Sequence, residues 1–447
     1  MVEYTGTFES LRERPLPVWF DDAKFGIFVH WFPSSVPAFA PLNPDPFTLA
    51  REQGEFIAFS ESPYSEWYMN SLAIEGSSVQ RHHEATYGDK PYDDFIDEFF
   101  AGTDAWQPSE WANLFAASGA TYCVMGTKHL DGALLWPSAR PNPYKGPRWT
   151  SQRDIVGDAI DAVRDAGLRA GIYYCGGLDL TFQGLGFDSF AKVFAAVPQS
   201  DEYRDYAIGQ YRELIARYRP DVLWNDVGFP GFGAGAAPLM AEYYNINPDG
   251  VVNDRFDPIG VAMGQAHADF VTPEYSLERI DQSKKFELCR GMGSSFGYNH
   301  LESDDTYASS HHLITLLIDV VADGGNLLLN VGPKPNGEVP AEQRERLLAI
   351  GAWLSVNGEA IHSSRPHDVS SLTSNDGHRV RITRGRNGAL YAIVIGTVTA
   401  EVTIPGLPSG NVTMLGTGTA TRVPGTLDSI AFSGPPPDGP AFVLRFD

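Results

Sequence analysis

Short apolar runs of strand length recur along the first 330 residues with helical patterns between them, and this alternation restricts the fold more than any other feature of the chain. The runs are residues 25–31 (FGIFVHW), 121–127 (TYCVMGT), 169–175 (RAGIYYC), 222–226 (VLWND), 250–255 (GVVNDR), 269–275 (DFVTPEY), 288–296 (LCRGMGSSF) and 326–331 (NLLLNV). Runs of this length, cut off by turn-forming residues, read as buried strands. Between them, residues 154–167 place Ile155, Ala159, Ile160 and Val163 on one helical face, and residues 201–218 do the same with Tyr203, Ala207, Tyr211, Leu214 and Ile215. Residues 313–325 and 342–354 also read as helices. Strands alternating with helices favour parallel β/α units, and eight runs predict an α/β fold of the (β/α)8 TIM-like barrel type. The gaps at 256–268 and 276–287 are too short for a helix with its loops, so the barrel is expected to be irregular on that side.

Beyond about residue 365 the helical patterns stop. Short β-rich runs such as RVRITRG, ALYAIVIG, AEVTIPGL, VTMLGTG and AFVLRFD follow one another, separated by Gly, Pro, Ser and Asn, with a GPPPDGP turn near the end. This predicts a small C-terminal all-β sandwich. With the linker in GEAIHSSRPHD, the expected domains are a catalytic barrel over 1–362 and a sandwich over 363–447. A chain of 447 residues fits one large domain plus a smaller one.

Composition excludes several classes of function. Fifty-six acidic against 33 basic residues give a net charge of −23, which repels phosphate backbones and acidic lipid heads, so neither nucleic acid nor a membrane surface is an expected partner. No apolar run approaches the roughly 20 residues that cross a bilayer, and the first residues lack the pattern of a signal peptide, so a cytoplasmic location is expected. Three widely spaced cysteines, Cys123, Cys175 and Cys289, form neither a disulfide framework nor a paired zinc motif, and read as buried thiols. No heptad pattern indicates an oligomeric state.

In a parallel barrel, functional side chains gather at the C-terminal ends of the strands. Here those ends carry His30 and Trp31, then Lys128, His129 and Asp131, Tyr173 and Tyr174, Asp226, Arg255, and Glu274. Each alone could be a satisfied core group; their recurrence on six strands points to a site. Two carboxylates among Trp, Tyr and His suit glycoside hydrolysis, in which one carboxylate attacks the sugar carbon and the other protonates the leaving oxygen. Aromatic faces pack on the C–H face of a pyranose, and His, Arg and Asn bond its hydroxyls. The long excursion over 32–120 is dense in aromatic residues and contains SEWYMN, with Glu66, Trp67 and Tyr68 together.

Other chemistries fit less well. The chain has no Gly-x-Ser-x-Gly elbow, no phosphate-binding loop of Walker type and no His-Glu-x-x-His helix. The adjacent histidines in RHHEATYG and at 311–312 read as surface residues. A metal hydrolase would need converging ligands, for which His30, His129, Asp226 and His267 are the candidates. A sugar-binding protein that has lost its activity is a further alternative.

The motifs WFDDAKFGIFVHW, SEWY, GTKHLDGALLW, GIYYCGGLD, LWND, TPEY, RGMGSSFGYN and GGNLLLNVGPKPNGEVP, in that order, resemble the α-L-fucosidases of glycoside hydrolase family 29 over roughly residues 15–360. The resemblance implies a retaining exo-enzyme that removes terminal α-L-fucosyl groups from fucosylated glycans or oligosaccharides, on an irregular β/α barrel, with no metal and no cofactor. A glycosidase of a related 6-deoxy or galacto-configured sugar is the nearest alternative.

By that resemblance, Asp226 of LWND is the nucleophile and Glu274 of TPEY the general acid/base, with Glu287 or Glu66 the alternatives for the second role. One carboxyl then carries a proton while the other is ionised, and the expected pH profile is bell-shaped. His30, Glu66, Trp67, His129, Tyr173, Trp224 and Arg255 match fucose-binding positions, with Tyr174 an alternative to Tyr173 because neighbours on a strand point to opposite faces. Two positions depart from the pattern. Leu130 stands where the family usually has a second histidine, which predicts weaker fucose binding, and Phe286 stands where Trp is common.

Overall fold

A computed structural model describes residues 3–230, 235–278, 284–398, 401–416, 420–432 and 439–447. Seven strands form one parallel sheet: β1 (Phe25–Val29), β2 (Tyr122–Lys128), β3 (Arg169–Cys175), β4 (Val222–Asp226), β5 (Val251–Val252), β6 (Glu287–Gly291) and β7 (Asn326–Val331). Their order is β5-β4-β3-β2-β1-β7-β6, and every pairing is parallel. Both faces are covered, so the strands are buried along almost their whole length, as β1, β2 and β7 show at every position. That is why their sequences are continuous apolar runs rather than alternating ones.

The expected eighth strand at 269–275 is not a regular strand. It runs between β5 and β6, and its strand pairing among the described residues is limited to isolated bridges: Asn253 with Phe270, Val271 with Phe286, and Glu274 with Cys289. These bridges close the curled sheet into an irregular barrel. Two local causes break the ladder. Pro273 has no N–H to give, and Tyr275 is held at a φ of 57°. The strand expected at 250–255 keeps two residues, because Asp254–Phe256, with Arg255 at its centre, turns into a 3-10 helix.

The helical expectations hold with shifts of a few residues at the ends. Helix Ile155–Asp165 is capped by Asp154, whose side chain accepts from the Gly157 N–H; Asp201–Tyr218 and Ser310–Ala322 are capped in the same way by Ser200 and Ser309. Ala341–Asn357 completes the outer layer. The long excursion after β1 is ordered and helical, and carries Glu66 and Trp67 on the 3-10 turn Ser65–Trp67.

After the turn Gly358–Ala360 the chain enters antiparallel strands: β8 (Arg365–Thr373), β9 (Arg379–Arg384), β10 (Leu390–Ile395), β11 (Glu401–Thr403), β12 (Val412–Met414), β13 (Ala420–Arg422), β14 (Ser429–Phe432) and β15 (Ala441–Phe446). They form a five-stranded sheet, β12-β15-β10-β9-β8, and a three-stranded sheet, β11-β14-β13, around their own apolar core. Much of the expected GPPPDGP turn, residues 434–438, lies outside the described residues, as do 400 and 417–418 of the expected β runs. The sandwich is fixed to the barrel by Trp353 Nε1 donating to the Ala441 carbonyl at 2.8 Å and by ion pairs from Arg365 to Asp21 and Asp22 and from Arg381 to Asp323.

Candidate active site

Asp226 ends β4, where Val222, Leu223 and Trp224 anchor the strand in the core and parallel pairing with Cys175 of β3 fixes its level. Asn225 secures the strand end. Its backbone N–H donates to Asn253 Oδ1 at 3.0 Å, and its side-chain amide donates to the carbonyls of Gly228 and Arg255, both at 2.8 Å. Immediately after Asp226, Val227 adopts a φ of 59°, unusual for a β-branched residue, and its N–H donates to Asp226 Oδ1 at 2.9 Å. The strand thus stops abruptly and leaves the carboxylate at the barrel mouth.

One guanidinium spans the two candidate catalytic carboxylates. Arg255 Nη1 donates to Asp226 Oδ1 at 2.9 Å, and Nη2 donates to Glu274 Oε2 at 2.7 Å. Its Nε donates to Thr272 Oγ1 at 3.0 Å, and that hydroxyl donates to Asp254 Oδ1 at 2.6 Å. The other oxygens are also engaged: Tyr173 Oη donates to Asp226 Oδ2 at 2.9 Å and Tyr64 Oη to Glu274 Oε1 at 2.5 Å. Between Tyr173 and Tyr174, then, Tyr173 faces the site; Tyr174 points outward and donates to Gln210 Oε1 at 2.7 Å.

The remaining predicted residues lie around and beneath this pair. His30 Nδ1 donates to Asn330 Oδ1 at 2.7 Å, and the Asn330 amide is itself fixed by donating to the Phe296 carbonyl at 2.6 Å. Burial pushes the His30 imidazole down to about 4, so at neutral pH Nδ1 keeps its proton and Nε2 carries none. His129 packs 5.7 Å from His30 and stacks on Tyr173 at 5.8 Å between ring centres. Burial, then the neighbouring His30 and Lys128, hold it well below the usual range, and its buried Nδ1 has no hydrogen-bond partner among the described residues. Glu66 accepts from the Gly297 N–H at 2.8 Å, and burial raises its carboxyl to about 7. Trp67 lines the cavity at the barrel mouth, about 720 Å³ in volume, together with Tyr64, Asp226, Arg255 and Glu274.

Trp224 lies deeper. Its ring sits under the Arg255 guanidinium at 4.7 Å, and its Nε1 donates to Glu287 Oε1 at 2.9 Å. It therefore supports Arg255 from below and does not line the cavity. Glu287, an alternative for the acid/base, is fully buried with Tyr122 donating to its second oxygen at 2.5 Å; it belongs to the barrel interior. The metal candidates do not converge: His267 bonds Tyr244 Oη at 2.9 Å beside Asp269, whereas His30 and His129 pack on Tyr173. Among the described residues, no three His, Cys, Asp or Glu side chains form a metal-binding group. All three cysteines are free and buried. Leu130 is buried within the apolar core.

Three contributors carried no assigned role in the sequence reading. Tyr64, two residues before Glu66, holds Glu274; Asn330 sets the His30 tautomer; and Phe296 packs 5.1 Å from His30 and 5.5 Å from Tyr64. Tyr64 adjoins a motif already singled out, but nothing local tells a site tyrosine from a core one.

A parallel β/α barrel with two carboxylates held over one cavity at its C-terminal mouth, among aromatic and imidazole rings, defines a glycoside hydrolase. The sequence model of the family described as Alpha-L-fucosidase matches residues 1–359, and the chain belongs to that family. It is 31% identical to an Alpha-L-fucosidase of Dictyostelium discoideum over 427 residues, covering 92% of this chain and 84% of the relative. With a Tissue alpha-L-fucosidase of Rattus norvegicus it shares 32% identity over 383 residues, covering 82% of this chain and 74% of the other. The crystal structure of Thermotoga maritima alpha-fucosidase in complex with fucose superposes with a TM-score of 0.85 at 38% identity, over 99% of this chain and all of the other.

Proposed function

We propose that the chain, a retaining exo-α-L-fucosidase, uses Asp226 as nucleophile and Glu274 as general acid/base. The observation that carries this reading is the single Arg255 guanidinium bonded to both carboxylates at one cavity. Two carboxylates sharing one guanidinium are held at short range, compatible with the separation of about 5 Å that retention requires. In the first step an Asp226 oxygen attacks the anomeric carbon while Glu274 gives its proton to the leaving oxygen. In the second, Glu274 takes a proton from water, which attacks the same carbon and releases Asp226. Two inversions give net retention.

Trp67, on the cavity wall, offers a face to the pyranose, whereas His30 and His129 pack on Tyr173, whose hydroxyl bonds Asp226, and do not themselves line the cavity. Terminal fucosyl groups on glycans or oligosaccharides are the proposed substrates, supported by the fucose complex of the Thermotoga relative.

Proton NMR of the protein acting on 4-nitrophenyl α-L-fucoside tests the reading. α-Fucose should appear before mutarotation; β-fucose first would remove Asp226 from the role of nucleophile.

A further inference from the structure

The catalytic cavity continues past the two carboxylates into a wall of a different character. Four aromatic rings run outward in sequence from the sugar end. Trp67 meets Phe59 edge-on at 5.9 Å, Phe59 meets Phe190 edge-on at 5.1 Å, and Phe190 lies parallel to Phe47 at 5.4 Å with only 3° between the planes. Val193, Phe194 and Val261 extend the same wall. Phe47 and Phe194 remain 45% and 49% exposed, so the outer end of the wall is open to solvent.

The run is built from separate elements: Phe47 on helix Pro46–Gln53, Phe59 on Glu55–Ser60 and Phe190 on Phe190–Ala195. These are tied together, since the Phe190 N–H donates to Glu55 Oε2 at 3.1 Å. Several polar side chains of the inner wall bond one another or the backbone. Asp226, Arg255 and Glu274 bond one another, Asp254 holds Thr272, and Ser62 accepts from the Tyr64 N–H. Among the described residues, Glu278 and Lys284 are polar lining groups at the exposed rim. A leaving sugar needs several converging hydrogen-bond partners; an apolar ring system needs flat apolar faces.

We infer that the aromatic run from Phe59 to Phe47, beyond Trp67, is the leaving-group site and that it takes flat, apolar aglycones, aryl or comparable ring systems, in preference to a second sugar. The inference rests on the assignment of Asp226 and Glu274 as the reacting pair, because that assignment decides which end of the cavity holds the fucosyl group. The group that departs after protonation by Glu274 then lies along Phe59, Phe190 and Phe47. Phe47 and Phe194 close over its outer edge.

Three substrates separate the possibilities: 4-methylumbelliferyl α-L-fucoside, α-L-fucosyl fluoride, whose leaving group is too small to reach the aromatic wall, and a fucosyl-galactose disaccharide. The readout is the ratio of kcat/KM for the aryl substrate to that for the fluoride, which cancels any general damage to the catalytic pair. In Phe190→Ala this ratio should fall by roughly three- to tenfold, the worth of one aromatic contact. The half-exposed Phe47→Ala and Phe194→Ala serve where the inner substitution impairs folding, and should lower it in the same direction. An unchanged ratio in all three variants overturns the inference, as does an equal fall in the disaccharide-to-fluoride ratio, which would make the wall a sugar platform. Wild-type protein inert on all three substrates would overturn the reading of the catalytic pair, and the inference with it, before any variant is made.

Discussion

Arg255 donates one terminal nitrogen to Asp226 and the other to Glu274, and its own Nε is held by Thr272. The carboxylates come from opposite sides of the irregular part of the barrel, one from a regular strand and one from an extended segment. A single fork positions both. The fork geometry is specific to arginine, since a lysine ammonium is a compact point charge on a flexible stem. Arg255→Lys should therefore fold normally yet lower kcat/KM by about 100-fold, the scale associated with a misplacement of about 1 Å in a catalytic group. Steady-state kinetics beside an unchanged melting temperature would establish this; near wild-type activity would show that charge alone is needed.

Tyr64 donates its phenol to the Glu274 oxygen that Arg255 leaves free. A hydrogen bond to a charged group contributes about 1.5–3 kcal/mol, so Tyr64→Phe should cost roughly 10- to 100-fold in kcat. If the bond orients the acid, the loss grows as the leaving group becomes poorer. A Brønsted series of aryl fucosides measures that, and an equal loss across the series would confine Tyr64 to packing.

Removing the two carboxylates should have different consequences. On the proposed roles, Asp226→Ala removes the nucleophile and should abolish turnover of every substrate. Glu274→Ala should still form the fucosyl-enzyme from substrates with good leaving groups, and added azide should restore turnover by attacking that intermediate. Azide rescue is read by product configuration: retained for Glu274→Ala. An inverted azide product from that variant would exchange the two roles.

Leu130 is buried in apolar surroundings where the family resemblance expects an imidazole. If that imidazole serves a sugar hydroxyl, Leu130→His should lower the inhibition constant of fucose by about two- to tenfold, the value of one neutral hydrogen bond. It should also lower the melting temperature, because an imidazole replaces an apolar side chain in the core. A fucose inhibition constant that is unchanged or higher would show that this pocket does without the second histidine.

Glu287 gives a test through pH. Its buried carboxyl is raised from its ordinary 4.5 to about 7, chiefly by desolvation and against the donors Tyr122 and Trp224. A carboxyl whose folded value is raised binds its proton more tightly in the folded state. Its stabilising contribution is therefore complete below about pH 4.5 and is lost as pH rises through about 7. Glu66 and Glu302, also raised to about 7, act in the same direction. The buried histidines His30 and His129, lowered by burial, act in the opposite direction below about pH 6.5, so the readout is a difference: the melting temperature of Glu287→Gln relative to wild type should rise from pH 5 to pH 8. A slope identical to wild type would mean that Glu287 keeps the same protonation state in both forms.

The sequence alone determined the alternation of buried strands and outer helices, because continuous apolar runs and amphipathic faces are local consequences of burying both sides of a parallel sheet. It also placed Asp226 at the end of β4, since a polar residue terminating an apolar run marks where a strand leaves the core. The segment at 269–275 did not follow its strand-like pattern: Pro273 and the backbone at Tyr275 limit it to isolated bridges. What only the tertiary structure decided are relationships between residues remote along the chain: Arg255 between Asp226 and Glu274, Tyr64 on Glu274, Asn330 setting the His30 tautomer, and Tyr173 rather than Tyr174 facing inward. Periodicity reports which face of an element is buried, but a hydrogen bond across a barrel depends on how strands are ordered and staggered, which no local pattern encodes. Trp224 shows the difference: its burial was readable from its run, whereas its place beneath Arg255 and above Glu287 came from the closed barrel.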